Sequence, residues 1–130
     1  MTRLSKFPDR QSVVETFAVL VDHFKDARIM PLLVGEIKST PIEELPASLV
    51  YLAAEYSIEE CEKYFSLWVE LVITGDYHVA FNSHTILRSF SETVTITEAE
   101  SREAELQLKN ALPKSGDKAG IIRDLLSMFQ

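Results

Sequence analysis

The chain has 130 residues, 46% of them hydrophobic and 25% charged, with a formal net charge of −7. That length suits one domain, the composition excludes wholesale disorder, and no disulfide or metal is needed for a chain of this size to fold. The acidity also sets nucleic acid aside as an expected ligand, because phosphate contact dominates that affinity.

Hydrophobic spacing is helical almost throughout, and four glycines are too few for a turn-rich β sandwich. Val13, Val14, Phe17, Leu20, Val21 and Phe24 recur at three- and four-residue steps and predict a first helix. Ser12 with Glu15 reads as a capping box at or near its start, and Asp9 is the other N-cap candidate. A short second helix follows Asp26, carrying Ile29, Leu32, Leu33 and Ile37, with Pro31 in its first turn. Thr40, Pro41 and Glu43 read as the next start signal, and Pro46 restarts the helix with Leu49, Val50, Leu52 and Ala53 turned inward. Ser57 with Glu60 opens the strongest helix, over residues 58–74, and Gly75 closes it in the manner of a C-terminal glycine. Asp76 caps a helix through Phe90 whose apolar set is Val79, Ala80, Phe81, Ile86, Leu87 and Phe90. Residues 93–97 alternate like a strand but have no partner strand, so an extended connector is expected there. Thr97 with Glu100 forms a further capping box for a helix to about Leu112. A loop over 113–117 then leads to a last helix bearing Ile121, Ile122, Leu125, Leu126 and Phe129.

The expected fold is therefore all-α: about seven short helices in stacked antiparallel hairpins, as an irregular bundle or a HEAT/TPR-like stack, in a single domain over residues 1–130. Helix pairs starting near residues 9, 41 and 76 have the spacing of helical-hairpin repeats, without shared signature residues. Cys61 is the sole cysteine, so no intramolecular disulfide can form, which fits a reducing compartment. Residues 1–10 hold bases with no apolar stretch behind them, so no cleaved secretory signal is expected. The longest apolar run, 67–73, is broken at Glu70 and falls well short of the roughly 20 residues of a membrane span. A cytoplasmic protein without membrane attachment is the expectation.

Charge is unevenly placed. Residues 41–76 hold Glu43, Glu44, Glu55, Glu59, Glu60, Glu62, Glu70 and Asp76 against Lys63 alone, a net −7 equal to that of the whole chain. On a continuous 58–74 helix, Glu59, Glu62, Ser66 and Glu70 share one stripe, opposite Cys61, Tyr64, Phe65, Trp68, Leu71 and Val72. Such a line can be the solvated edge of a packed helix. As a set, though, like charges at helical spacing each cost about 0.2–0.5 kcal/mol, and a basic partner relieves that repulsion and is steered towards it. Tyr51, Tyr56 and Tyr77 lie in or beside the sector, and aromatic anchors carry much of the energy at binding hot spots.

Other chemistry has little footing. His23, His78 and His84 show no metal-ligand spacing, and Cys61 has no second thiolate, so no metal and no cofactor are expected. Asp76 with His78 could form an acid–base pair, though an N-cap and a surface histidine explain them, and Ser83 beside His84 lacks the context of a nucleophile elbow. The expected function is a non-enzymatic protein-binding module whose acidic sector engages a basic protein partner, with Glu55, Glu59, Glu62 and Glu70 supplying charge and Tyr51 or Tyr56 an anchor. One concrete form is an immunity- or antitoxin-type inhibitor masking the basic cleft of a nuclease toxin, on grounds of size and charge alone. A helical adaptor that binds a peptide or a second copy of itself through an apolar groove is the alternative; a small helical enzyme is the third. Bases near both ends (Arg3, Lys6, Arg10; Lys114, Lys118, Arg123) leave head-to-tail self-association open.

Overall fold

A computed structural model of the protein describes residues 10–24, 28–90 and 96–129. Among them are eight helices and no strand: α1 (Arg10–Phe24), α2 (Ile29–Ser39), α3 (Ala47–Ala53), α4 (Ile58–Glu62), α5 (Phe65–Thr74), α6 (Tyr77–Arg88), α7 (Glu98–Ala111) and α8 (Ala119–Phe129). The all-α expectation holds. Arg3, Lys6, Asp9 and residues 93–95, for which the sequence raises expectations, lie outside the described residues.

Three of the sequence's polar caps form. Ser57 Oγ accepts from the Glu60 N–H at 3.3 Å, and Asp76 Oδ1 accepts from the Val79 N–H at 2.9 Å. Thr97 and Glu100 make both halves of a capping box at the start of α7. Each such cap contributes about 1 kcal/mol by satisfying an N–H that the helix cannot. Two other signals resolve differently. Ser12 lies inside α1 and is not its N-cap. Thr40 closes α2 instead of opening the next helix: its Oγ1 donates to the Glu36 carbonyl at 2.7 Å, and only a 3₁₀ turn, Ile42–Glu44, follows. The expected loop 113–117 holds parts of two further 3₁₀ turns, and Gly116 starts the second at a left-handed φ of 58°.

The predicted 58–74 helix is broken. Its two pieces meet at Tyr64, whose φ of −117° and ψ of 30° leave the helical region. In a continuous helix the Cys61 carbonyl would accept from the Phe65 N–H; here it accepts from the Tyr64 N–H at 3.0 Å, in a tighter turn, and from the Trp68 indole Nε1 at 2.8 Å. Trp68 is fully buried, and an indole N–H in the core must find an acceptor. The Cys61 thiol in turn donates to the Ala53 carbonyl at 3.3 Å, fastening α4 to α3.

Gly75 does end α5, but in extended backbone (φ −78°, ψ 167°), not in the left-handed form. Glycine is required there for space: a Cβ would lie 2.4 Å from Val79 Cγ1 and 2.7 Å from the Leu71 carbonyl oxygen. The tight turn brings α6 back against α5.

Helices α5–α6 and α7–α8 form two antiparallel hairpins, and they close into a ring in which α5 packs on α6, α6 on α8, α8 on α7, and α7 on α5. Phe65, at the start of α5, meets Phe90 just past the end of α6 at 6.3 Å, and Phe129 at the end of α8 at 6.1 Å. Thus α5 and α7 run one way, α6 and α8 the other. Trp68, Leu87, Leu108, Ile122 and Leu125 are fully buried in this ring. Each contributes on the order of 1.5–3 kcal/mol of transfer free energy. The N-terminal helices α1 and α2 pack on α3, and α3 joins them to the ring through α6, where Asn82 Nδ2 donates to the Ala47 carbonyl. The hairpins are α5–α6 and α7–α8, so the repeat frame starting near residues 41 and 76 does not describe the pairing.

Candidate functional site

Helix α5 is apolar on nearly every side, with Phe65, Leu67, Trp68, Val69, Leu71 and Val72 all buried. Its exposed line is Ser66, Glu70 and Thr74, spaced four apart. This line is a ridge between two grooves, and all three of its residues border both. The larger, of about 780 Å³, lies along the seam of α5 and α7. The smaller, of about 490 Å³, runs towards Lys38, Thr40 and Ile42 at the end of α2.

The larger groove exists because α7 offers little to fill it. The residues of α7 that turn towards α5 are Glu100, Glu103, Ala104, Gln107 and Ala111, one helical stripe of small or polar side chains. Larger apolar residues of α7 point elsewhere: Leu108 is buried in the ring and Leu106 is exposed. The groove wall is completed by Phe65, Val69 and Ile73 from α5 and Ile122 from α8.

Its two ends differ in charge. Glu70 borders its middle, Glu100 and Glu103 its end at the start of α7, and Lys114 and Lys118 the opposite end. The Lys118 ammonium is already committed. It donates to the carbonyls of Val72, Ile73 and Gly75 at 3.1, 2.7 and 2.8 Å, satisfying acceptors that the last turn of α5 leaves open. Burial lowers its pKa from the ordinary lysine value, partly offset by the nearby Asp117 and Asp76 carboxylates. Lys114, exposed, is the cation available at that end. Glu70 is exposed and forms no ion pair among the described residues, and Glu103 accepts only from Gln107 on its own helix, at 2.9 Å.

The structure does not bring the sequence-predicted residues together as one stripe. Because the helix breaks at Tyr64, Glu59 and Glu62 belong to α4 and Glu70 to α5, and the single helix face expected to carry all three does not form. Glu59 is exposed, Glu62 half-buried, and Glu60 is paired with Lys63 at 3.2 Å. Glu55 is exposed in the turn before α4. Tyr51 is 56% exposed on α3, whereas Tyr56 is half-buried and packed against the core. The sequence does not mark Glu100 or Glu103 as site residues, and it marks Lys114 only among the bases open to self-association. Glu100 was legible as a capping partner, and the signal left unread was the run of small and polar residues at helical spacing on α7.

Elsewhere, α6 carries an exposed aromatic line. Tyr77 (41% exposed) stacks on Phe81 (47% exposed) with centroids 6.4 Å apart, so Phe81 is not the core residue its spacing suggests; nor is Leu32, which is 60% exposed. Phe81 also meets the His84 ring. His84 Nε2 lies 2.6 Å from Asp124 Oδ2, and Arg88 Nε is 3.5 Å from the same oxygen. Hydrogen bonding from His84, more than the nearby Arg88 charge, lowers the Asp124 pKa. His84 Nδ1 is buried without a partner among the described residues. Ser83 is fully buried, and the Asp76 carboxylate is occupied as a cap, with His78 exposed beside Tyr77. Cys61 is buried, and its thiol is pushed up to about 11 by that burial and by Glu60. Among the described residues no group of His, Cys, Asp or Glu could hold a metal ion, and no helix is long and apolar enough to cross a membrane.

No protein-family model matches the chain, and no curated protein or solved structure is significantly similar to it.

Proposed function

We propose that this protein is a non-enzymatic binding module that engages a basic segment of a partner protein through the carboxylates around the α5–α7 groove. The observation that carries the reading is Glu70. It is an exposed carboxylate with no ion pair among the described residues, on a ridge beside an apolar wall and close to Glu100 and Glu103. An apolar groove with carboxylates on its margin suits an amphipathic basic segment, whose apolar side seats while its cations meet the rim. Glu55, Glu59, Glu62 and Tyr51 lie outside the groove and would add steering charge and contact area. Tyr56, already packed against the core, suits an anchor role less well. An immunity- or antitoxin-type inhibitor of a basic toxin is one protein of this kind.

The test uses an 18-residue amphipathic Lys/Leu peptide titrated into the labelled protein and followed by NMR. Shift changes should concentrate on α5 and α7 and weaken between 50 and 300 mM salt. Glu70→Lys with Glu103→Lys should abolish them while changing stability by no more than about 0.5 kcal/mol, as for other surface substitutions. Affinity that survives the double reversal would reduce the rim to a solvated edge. Salt-independent binding at the same groove would favour the adaptor reading, in which apolar burial through Val69, Ile73 and Ile122 dominates.

A further inference from the structure

The groove has a direction as well as a charge. Glu100 and Glu103 border one end and Lys114 the other. Both walls, α5 and α7, run the same way: the Lys118 ammonium ties the turns after α7 to the last turn of α5, and Glu100 borders the same small groove as Lys63 and Tyr64 at the start of α5. Two parallel helices have aligned macrodipoles, positive at the Glu100 end and negative at the Lys114 end. The protein answers both locally, with Glu98 and Glu100 in the first turn of α7, Lys109 in its last, and Lys118 on the carbonyls of α5.

Resting on the protein-binding reading above, we infer that the groove takes an amphipathic partner helix in one orientation, antiparallel to α5 and α7. Its last turn would be basic, at Glu100 and Glu103, with a further cation facing Glu70 nearer the middle, and its first turn acidic, at Lys114. Three considerations agree on that direction. An antiparallel helix opposes the dipoles of both walls instead of adding to them. Its side-chain charges meet opposite charges at both ends of the groove. A helix that is acidic in its first turn and basic in its last is also the form that stabilises itself. The reverse orientation loses on the first count, and on the second or the third whichever way its charges are arranged. The stripe from Glu100 to Lys114 spans fourteen residue steps, or roughly 21 Å at helical rise, so the occupant is a helix of about 14 residues seated by apolar side chains at i, i+3 or i+4, and i+7.

The experiment compares two 14-residue peptides of identical composition and apolar pattern, both with blocked termini and a side-chain lactam that equalises their helicity. One is acidic at its start and basic at its end; the other has those charges exchanged. Each carries a nitroxide label beside its last turn. The first should bind roughly tenfold more tightly, and its label should broaden the amide signals of residues 99–103 and spare those of residues 112–116. In the triple variant Glu70→Lys, Glu103→Lys, Lys114→Glu the preference should invert. Equal binding of the two peptides, or broadening at residues 112–116 by the first peptide, would overturn the orientation. If the Lys/Leu peptide binds but neither bipolar peptide does, the orientation fails and the protein-binding reading stands. If none of the three binds, both fall.

Discussion

At the residue scale, the most informative single side chain outside the groove is Asp124, which joins α8 to α6 through His84 and stands beside Arg88. Its pKa is lowered from 3.8, so the native state favours the carboxylate more than the unfolded chain does. The sign follows from linkage: a lowered acid contributes stability that is fully present above the unfolded value and is lost as pH falls through the folded one. Wild type and Asp124→Asn should therefore reach their full difference by about pH 5, where the carboxylate is ionised in both states, and converge as pH drops below 3.8. The carboxylate is 45% exposed, so solvent screening holds the plateau to about 1 kcal/mol or less. Denaturant unfolding of both proteins at half-unit pH steps checks this. A difference that stays flat to pH 2.5 would mean that the His84 contact contributes through shape, not charge.

At the element scale, the features read correctly from sequence are those whose partners lie within one turn. The Ser57, Asp76 and Thr97 caps bond to backbone N–H groups three residues on, so side-chain chemistry alone announces them. The break at Tyr64 was illegible for the converse reason. It coincides with the Trp68 indole reaching the Cys61 carbonyl, a contact set by how Trp68 packs in the ring, and no local propensity reports it. The same holds for the end of α5. Gly75 marks the boundary in sequence, but what secures the last turn is Lys118, 43 residues further on. That ammonium meets three carbonyls at once, and hydrogen bonds to a charged donor are worth about 1.5–3 kcal/mol in total effect when a buried acceptor is otherwise left bare. Lys118→Met, which keeps the apolar stem, should lower unfolding free energy by about 2 kcal/mol. It should also raise amide exchange in α6 and in the last turn of α5, which share the Gly75 turn. Lys118→Arg should recover only part of the loss, because a planar guanidinium cannot converge on three acceptors as an ammonium does. A loss under about 0.5 kcal/mol, within the range of ordinary surface substitutions, would show that water replaces the ammonium at no cost.

At the scale of the whole molecule, the helix break divides the acidic sector into two parts, to which the proposed function gives different duties. Glu59 and Glu62 sit on α4, outside the groove, and Glu70 sits along it, joined there by Glu103 from α7 outside that sector. The sequence made the excess of negative charge plain, since charge needs no fold to be counted; it could not reveal the division, because the α5–α7 seam joins stretches some 30 residues apart. Charges outside a contact act on approach. At 0.15 M salt their field decays over about 8 Å, which is enough to bias encounter but contributes little once the partner is seated. Charges that line the contact are desolvated with it and govern departure. With the Lys/Leu peptide as probe, Glu59→Lys with Glu62→Lys should slow association several-fold at 50 mM salt, leave dissociation within twofold, and lose its effect by 300 mM. Glu70→Lys with Glu103→Lys should instead raise the dissociation rate by tenfold or more, an effect that persists at 300 mM. Stopped-flow fluorescence on the Trp-free peptide carrying a dye separates the two rates. If both double variants alter only association, and to the same degree, the carboxylates act as one diffuse field and the groove takes no part in holding the partner.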